Sequence, residues 1–184
     1  AGESGIRAGR VTDVTVGGHA GAFVEYTVTT DRTTCGNGQD DLWREHGRKL
    51  LGAIAKTTDM LVCAEDLGDI PKCVPEVLEE LDILGLRVER WAGQDGRPSS
   101  PDRFPRLTVS TTSTHDSSTL RCWWQEQGWN RQEYFDRLNL PGSCPEYLTT
   151  EVGAAILERN LNSNSLIAVF PLQDLFALHY DLRT

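Results

Sequence analysis

From residue 41 onward the sequence repeats one alternation: a short apolar run, then a stretch with apolar residues at helical spacing. The apolar runs are 60–64, 86–91, 106–112 and 166–170. Short, mostly apolar runs of this kind fit strands whose two faces are both covered. The helical stretches are 41–57 (Leu42, Leu50, Leu51, Ile54), 74–84, 119–127, 131–138, 150–160 and a short one over 172–178. Pro75 opens the second of these and Gly85 stands just past its end, as helix termini favour. Four strand–helix units predict an α/β fold with a parallel sheet and crossover helices. A closed (β/α)8 barrel takes about 250 residues. The 184 residues here therefore predict either an open sheet or a fragment with roughly half of such a barrel, a partial TIM barrel. Residues 1–40 have a different texture, rich in Gly and Thr, with one alternating run over 22–28 that predicts a strand or hairpin arm. Gly17–Gly18 and the Gly-rich stretch from Cys35 to Gly38 read as turns. The expected division is thus an unassigned segment 1–40 and an α/β unit 41–184.

Charge narrows the partners. The formal net charge is −9, against the clustered Lys and Arg that nucleic acid and anionic membrane surfaces require. A neutral polymer such as a sugar chain fits better. No apolar run reaches the length of a membrane span, about 18 residues or more, and Ala1–Arg10 carry no apolar signal-peptide core. The five cysteines are irregularly spaced and include no CxxC pair, so neither a disulfide scaffold nor a zinc site is expected. Reduced thiols in a cytoplasmic protein, with no metal and no organic cofactor, are the expectation.

In α/β architectures the functional side chains stand just past the carboxyl ends of strands. Glu65 and Asp66 hold that position after the first apolar run, and His115 and Asp116 after the third. Carboxylates facing each other at such a rim suit glycosidic chemistry, one as general acid/base and others stabilising an oxocarbenium-like transition state. The bland reading of Asp116 is a helix cap, and of His115 a structural hydrogen-bonder. Gln173–Asp174 follow the last run, and a helix start accounts for Asp174 equally well. Trp91, Trp123 and Trp124 can stack on sugar rings or fill a core. Trp123 and Trp124 are adjacent, so on a helix they point about 100° apart, and both are expected in the core. Arg87 and Arg90 lie on opposite faces of a strand and can pair with nearby carboxylates, but not as one unit.

Three segments carry a resemblance. Leu61-Val62-Cys63-Ala64-Glu65-Asp66-Leu67-Gly68, followed by Pro71 and Cys73-Val74-Pro75, resembles the AEDLG region of the amylomaltase family, the 4-α-glucanotransferases of glycoside hydrolase family 77. Thr111 to Arg121, with Trp123-Trp124, is similar to that family's THD motif, and Phe170-Pro171-Leu172-Gln173-Asp174-Leu175-Phe176-Ala177-Leu178 is similar to a third motif. The three occur in family order over about residues 41–183. The resemblance implies an α-amylase-type (β/α)8 barrel that transfers α-1,4-glucan segments between maltooligosaccharides by a retaining double displacement. It implies Glu65 as general acid/base, Asp116 as the carboxylate that stabilises the transition state, and His115 as a substrate-binding hydrogen-bonder in the donor subsite. Asp66 is expected to hold the loop.

The family's retaining mechanism also uses a carboxylate nucleophile in an Arg-x-Asp-His motif, which this sequence lacks. The chain is therefore expected to be a fragment, inactive by itself, whose partners are α-1,4-glucans and the remainder of the barrel. Two other readings stay open: a non-catalytic glucan-binding barrel protein, and an α-amylase-type hydrolase that uses water as acceptor.

Overall fold

The computed structural model describes residues 6–16, 19–28, 39–68, 70–91, 98–126, 130–179 and 181–182. It divides into two compact units, Ala1–Leu42 and Trp43–Thr184. In the first, β1 (Ile6–Val16) and β2 (His19–Val28) form an antiparallel pair, with the register running from Ile6↔Val28 to Val16↔His19 and an irregularity between Ala8 and Val11. The alternating run at 22–28 is the second half of β2. The strand before it, with Val11, Thr12, Val14, Thr15 and Val16, has the β-branched residues that suit a pleated ribbon. The turns expected at Gly17–Gly18 and Cys35–Gly38 lie outside the described residues. Helix α1 (Gln39–Lys56) begins two residues before its expected start, with Asp40 and Asp41 in its first turn, where the helix dipole favours negative charge.

The second unit is built on a parallel sheet. Strands β3 (Gly85–Val88), β4 (Thr108–Thr111) and β5 (Ile167–Ala168) lie in that order, with Gly85↔Thr108 and Val109↔Ile167 in register. On the other side of β3, residues 62–64 pair in parallel with Leu84 through Leu84 N–H to Val62 O (3.0 Å) and Ala64 N–H to Leu84 O (2.7 Å). The first expected strand, 60–64, is thus reduced to an isolated bridge. The reason is local: the next donor of the ladder, Leu86 N–H, goes to the Asp66 carboxylate at 2.6 Å instead of to a backbone carbonyl. A side chain ends the pairing, and the chain turns away through Gly68 at φ +86°, a conformation that glycine adopts without strain.

Among the described residues the helices besides α1 are α2 (Cys73–Glu80), α3 (Leu120–Gln125), α4 (Arg131–Arg137), α5 (Thr150–Leu161) and α6 (Leu172–Phe176). α2 stops four residues before the sequence suggests, because Ile83 and Leu84 already belong to the approach to β3, where both are fully buried. The main core joins α3, α4, α5 and the end of α6 through Leu120, Trp124, Tyr134, Phe135, Val152 and Ile156. Both tryptophans pack there: Trp123 and Trp124 meet the Tyr134 ring edge-on, at 5.3 and 6.4 Å between centroids. The Trp124 indole N–H donates to Pro145 O at 3.1 Å, so this large side chain is buried without an orphaned donor.

β4 is buried along its whole length although three of its four residues are Thr or Ser. Each hydroxyl finds a partner: Thr108 bonds Pro105 O and Ser165 Oγ, Ser110 donates to Asn160 Oδ1 at 2.7 Å, and Thr111 donates to Ser113 O. Buried hydroxyls satisfied in this way cost little and fix the strand against α5. Among the described residues no helix is long and apolar enough to cross a membrane.

Candidate functional site

The carboxyl ends of the parallel strands converge on one edge of the sheet, and the sequence-predicted residues stand there. Glu65 and Asp66 follow the bridge at 62–64 and divide their roles. Asp66 is buried; it accepts Leu86 N–H at 2.6 Å and the Arg87 guanidinium, through Nη1, at 2.8 Å. Glu65 is exposed. The tie between Asp66 and β3 fixes the turn from which the Glu65 side chain leaves. Asp66 therefore holds the loop, as the resemblance implies.

Gly85 makes that tie possible. A Cβ on Gly85 would lie 2.7 Å from Asp66 Oδ2 and 2.9 Å from Oδ1. Gly85→Ala must push the carboxylate away from Leu86 and Arg87, leaving a buried charge short of its partners. We expect it to cost about 1–3 kcal/mol, read as a lower urea midpoint; an unchanged midpoint would show that the turn relaxes without loss.

His115 and Asp116 lie at the tip of a turn after β4. Ser117 closes that turn twice: its Oγ accepts Thr114 N–H at 2.8 Å and donates to Thr114 O at 3.0 Å. His115 Nε2 and Asp116 Oδ2 are 3.2 Å apart, and both side chains are more than three-quarters exposed, at 78% and 77%. Asp116 does not cap the following helix. Thr119 does, accepting Cys122 N–H on its side chain. The capping explanation for Asp116 is thereby removed, and its carboxylate is free of the backbone.

Two residues that sequence reasoning left outside the site grip this loop from either side. Arg90, just past β3, donates to Thr112 O (2.8 Å), Ser118 O (2.6 Å) and Ser118 Oγ (3.1 Å), and lies over the Trp123 ring at 5.2 Å. Burial pulls the Arg90 pKa below its ordinary value, while Asp174 and Glu126 act the other way. Arg87 lies on β3 and bonds the Asp66 carboxylate, whereas Arg90 lies in the turn past the strand and bonds backbone carbonyls, so the two do not act as a pair. Asp174, in α6, is fully buried and does not serve as the cap of its helix, a position held by Pro171. The sequence signal for both was the same kind of position that singled out Glu65, a charged side chain at a strand's carboxyl end.

Between the loop and the start of α6 lies a pocket of ≈ 330 Å³, walled by Thr114, His115 and Ser117 on one side and by Pro171 and Gln173 on the other. It sits past the carboxyl ends of β4 and β5, the usual place for a ligand in parallel α/β folds. Glu65 is not part of its wall. β3 stands between the bridge at 62–64 and β4, so sheet spacing puts Glu65 about 10 Å across from the His115–Asp116 side. Among the described residues no group of three or more His, Cys, Asp or Glu is arranged to hold a metal ion.

The glycoside hydrolase 77 family, described as 4-alpha-glucanotransferase, matches residues 19–184. The 4-alpha-glucanotransferase DPE2 of Oryza sativa subsp. japonica is 39% identical over 142 residues, which cover 76% of this chain and 15% of that protein. The 4-alpha-glucanotransferase of Chlamydia trachomatis serovar D is 32% identical over 139 residues, covering 74% of this chain and 26% of that protein. Amylomaltase from Streptococcus agalactiae, solved in complex with acarbose, has a similar fold, with a TM-score of 0.56 at 19% identity over 71% of this chain and 26% of that one. The chain spans about a quarter or less of the length of these relatives. With a family match over nearly the whole sequence, the chain belongs to the glycoside hydrolase 77 family of 4-alpha-glucanotransferases.

Proposed function

We propose that the complete protein carrying this chain transfers α-1,4-glucan segments between maltooligosaccharides, and that this chain supplies its general acid/base and one transition-state carboxylate. The observation that carries the reading is the contrast at the strand ends. Glu65 and Asp116 are exposed there, while Asp66 is buried and bonded in support. An exposed carboxyl on a pinned turn can reach a glycosidic oxygen; a fully bonded one cannot. Glu65 protonates the leaving oxygen and then takes the proton from the 4-hydroxyl of the acceptor sugar. Asp116 stabilises the oxocarbenium-like transition state, and His115, 3.2 Å from it and on the pocket wall, hydrogen-bonds the donor sugar. The nucleophile of this retaining mechanism comes from outside these residues.

The same proposal reads residues 41–184 as about the second half of a (β/α)8 barrel and leaves 1–40 without a role. Four consecutive parallel strand positions support it, as do the apolar side chains exposed beside both sheet edges. Met60 and Leu61 are 58% and 52% exposed at one edge, and Val169 and Leu172 are 54% and 58% exposed at the other. Neighbouring strands and helices of a closed barrel would cover such groups. The thiols of Cys63, Cys122 and Cys144, free among the described residues, fit the reducing, cytoplasmic setting that we propose with it.

Incubating the complete protein with maltotriose and separating products by length tests the reading. We expect glucose together with a ladder of longer oligosaccharides. Shorter products alone would mean a hydrolase. Saturable binding without turnover would mean a glucan-binding protein.

A further inference from the structure

We infer that Asp174 is the positioning residue of the His115–Asp116 turn, acting on the reaction without touching the sugar; the inference rests on the reading of Asp116 proposed above. Asp174 is 0% exposed. Its carboxylate accepts three hydrogen bonds, all from the segment that carries the turn. Oδ2 accepts from Thr112 Oγ1 and Ser113 Oγ, each at 2.6 Å, and Oδ1 accepts Leu120 N–H at 2.7 Å. These donors stand on both sides of His115 and Asp116, where β4 ends and where α3 begins. One carboxylate thus fixes the two feet of the loop whose tip bears the exposed pair.

The alternatives are weaker. Capping of its own helix is excluded because Asp174 lies inside α6 and its oxygens bond the 112–120 segment, including the first N–H of α3. Its complete burial and its three hydrogen bonds to the loop favour a positioning role over direct contact with the sugar. Arg90 completes the grip from β3 by holding the carbonyls of Thr112 and Ser118, so donors of the loop meet Asp174 and acceptors meet Arg90. Hydrogen bonds from uncharged hydroxyls to a buried carboxylate are short and directional. They define where the turn sits more tightly than apolar packing would. The Thr114–Ser117 closure sets the shape of the turn but not its place over the sheet.

The test uses the complete protein with Asp174→Asn, which keeps the volume but offers amide protons where Thr112 and Ser113 now donate. A displacement of the turn by an ångström lowers kcat about a hundredfold. Because the residue acts through Asp116, the loss should nearly vanish when Asp174→Asn is added to Asp116→Asn; independent effects would multiply. Amide hydrogen exchange, which needs no activity, should quicken over residues 113–118 and stay unchanged in α5. Retained kcat, a full further loss in the Asp116→Asn background, or unchanged exchange at 113–118 would each overturn the inference. If Asp174→Asn does not fold, Thr112→Val with Ser113→Ala removes two of the three donors at nearly constant volume and must show the same kcat loss and faster exchange. Glu65→Gln separates the two readings. Full activity in that variant overturns the proposed chemistry, while the exchange result still judges the grip on the turn.

Discussion

Glu65→Gln in the complete protein lowers the rate of maltooligosaccharide transfer by about 10²–10⁴-fold and leaves thermal stability where it was. The first part follows from the chemistry. Glutamine matches glutamate in shape and still offers a hydrogen bond to the glycosidic oxygen, but it cannot give up a proton as the bond breaks or take one from the acceptor. The second part follows from the structure. Glu65 is exposed, and among the described residues no side-chain hydrogen bond or ion pair holds it, since the turn is pinned through its neighbour Asp66. A donor whose leaving group needs no protonation, such as a nitrophenyl maltooligosaccharide, should recover its first step in the variant and stay slow in the second, where a base is still required. Ladder formation from maltotriose and release of nitrophenol are the two measurements. Wild-type ladder formation by Glu65→Gln would assign the acid/base to another residue. A drop in melting temperature parallel to the loss of rate would make Glu65 a structural residue.

Much of this frame can be read along the chain, and the parts that cannot share a cause. Helices α1, α4 and α5 carry their apolar residues at helical spacing and their own start signals, so their positions follow from the sequence within a few residues. β4 and β5 fall inside expected runs and β3 begins one residue before its run, because those runs are short and flanked by turn residues. The bridge at 62–64 is shorter than its run because a carboxylate takes a ladder donor, and hydropathy carries no sign of that substitution. The candidate pair His115–Asp116 was visible as a strand-end motif. What made Asp116 more than a cap was Thr119 taking the cap three residues later, a competition decided by loop geometry. Arg90 and Asp174 were visible only as charged residues near strand ends. Their work depends on partners such as Ser118, 28 positions from Arg90, and Thr112, 62 positions from Asp174. Spacing along the chain does not encode contacts at that range.

Glu89→Ala should lower the unfolding free energy by about 3–5 kcal/mol, the cost of breaking a buried ion pair from one side. Glu89 also follows a strand, but unlike Glu65 it is 1% exposed and turned into the protein. It accepts from Arg159 Nε at 3.0 Å and from Asn160 Nδ2 at 2.5 Å. Asn160 in turn takes the Ser110 hydroxyl through Oδ1, so the carboxylate organises one helix, α5, against the middle of β4. Alanine leaves a half-buried guanidinium and a buried amide without their shared acceptor. Glutamine keeps one acceptor for Arg159 but turns an amide against the Asn160 amide, and should fall between the two. Burial raises the Glu89 carboxyl above its ordinary value, with Arg159 the first of the groups that oppose it. A raised folded pKa means a contribution that is complete below the unfolded value, about 4.3, and that is lost as pH rises through the folded one. The gap in stability between wild type and Glu89→Gln should therefore narrow with rising pH over that window. Urea unfolding of both proteins at several pH values measures it; a gap that widens instead would mean that Arg159 outweighs burial and holds the carboxylate charged.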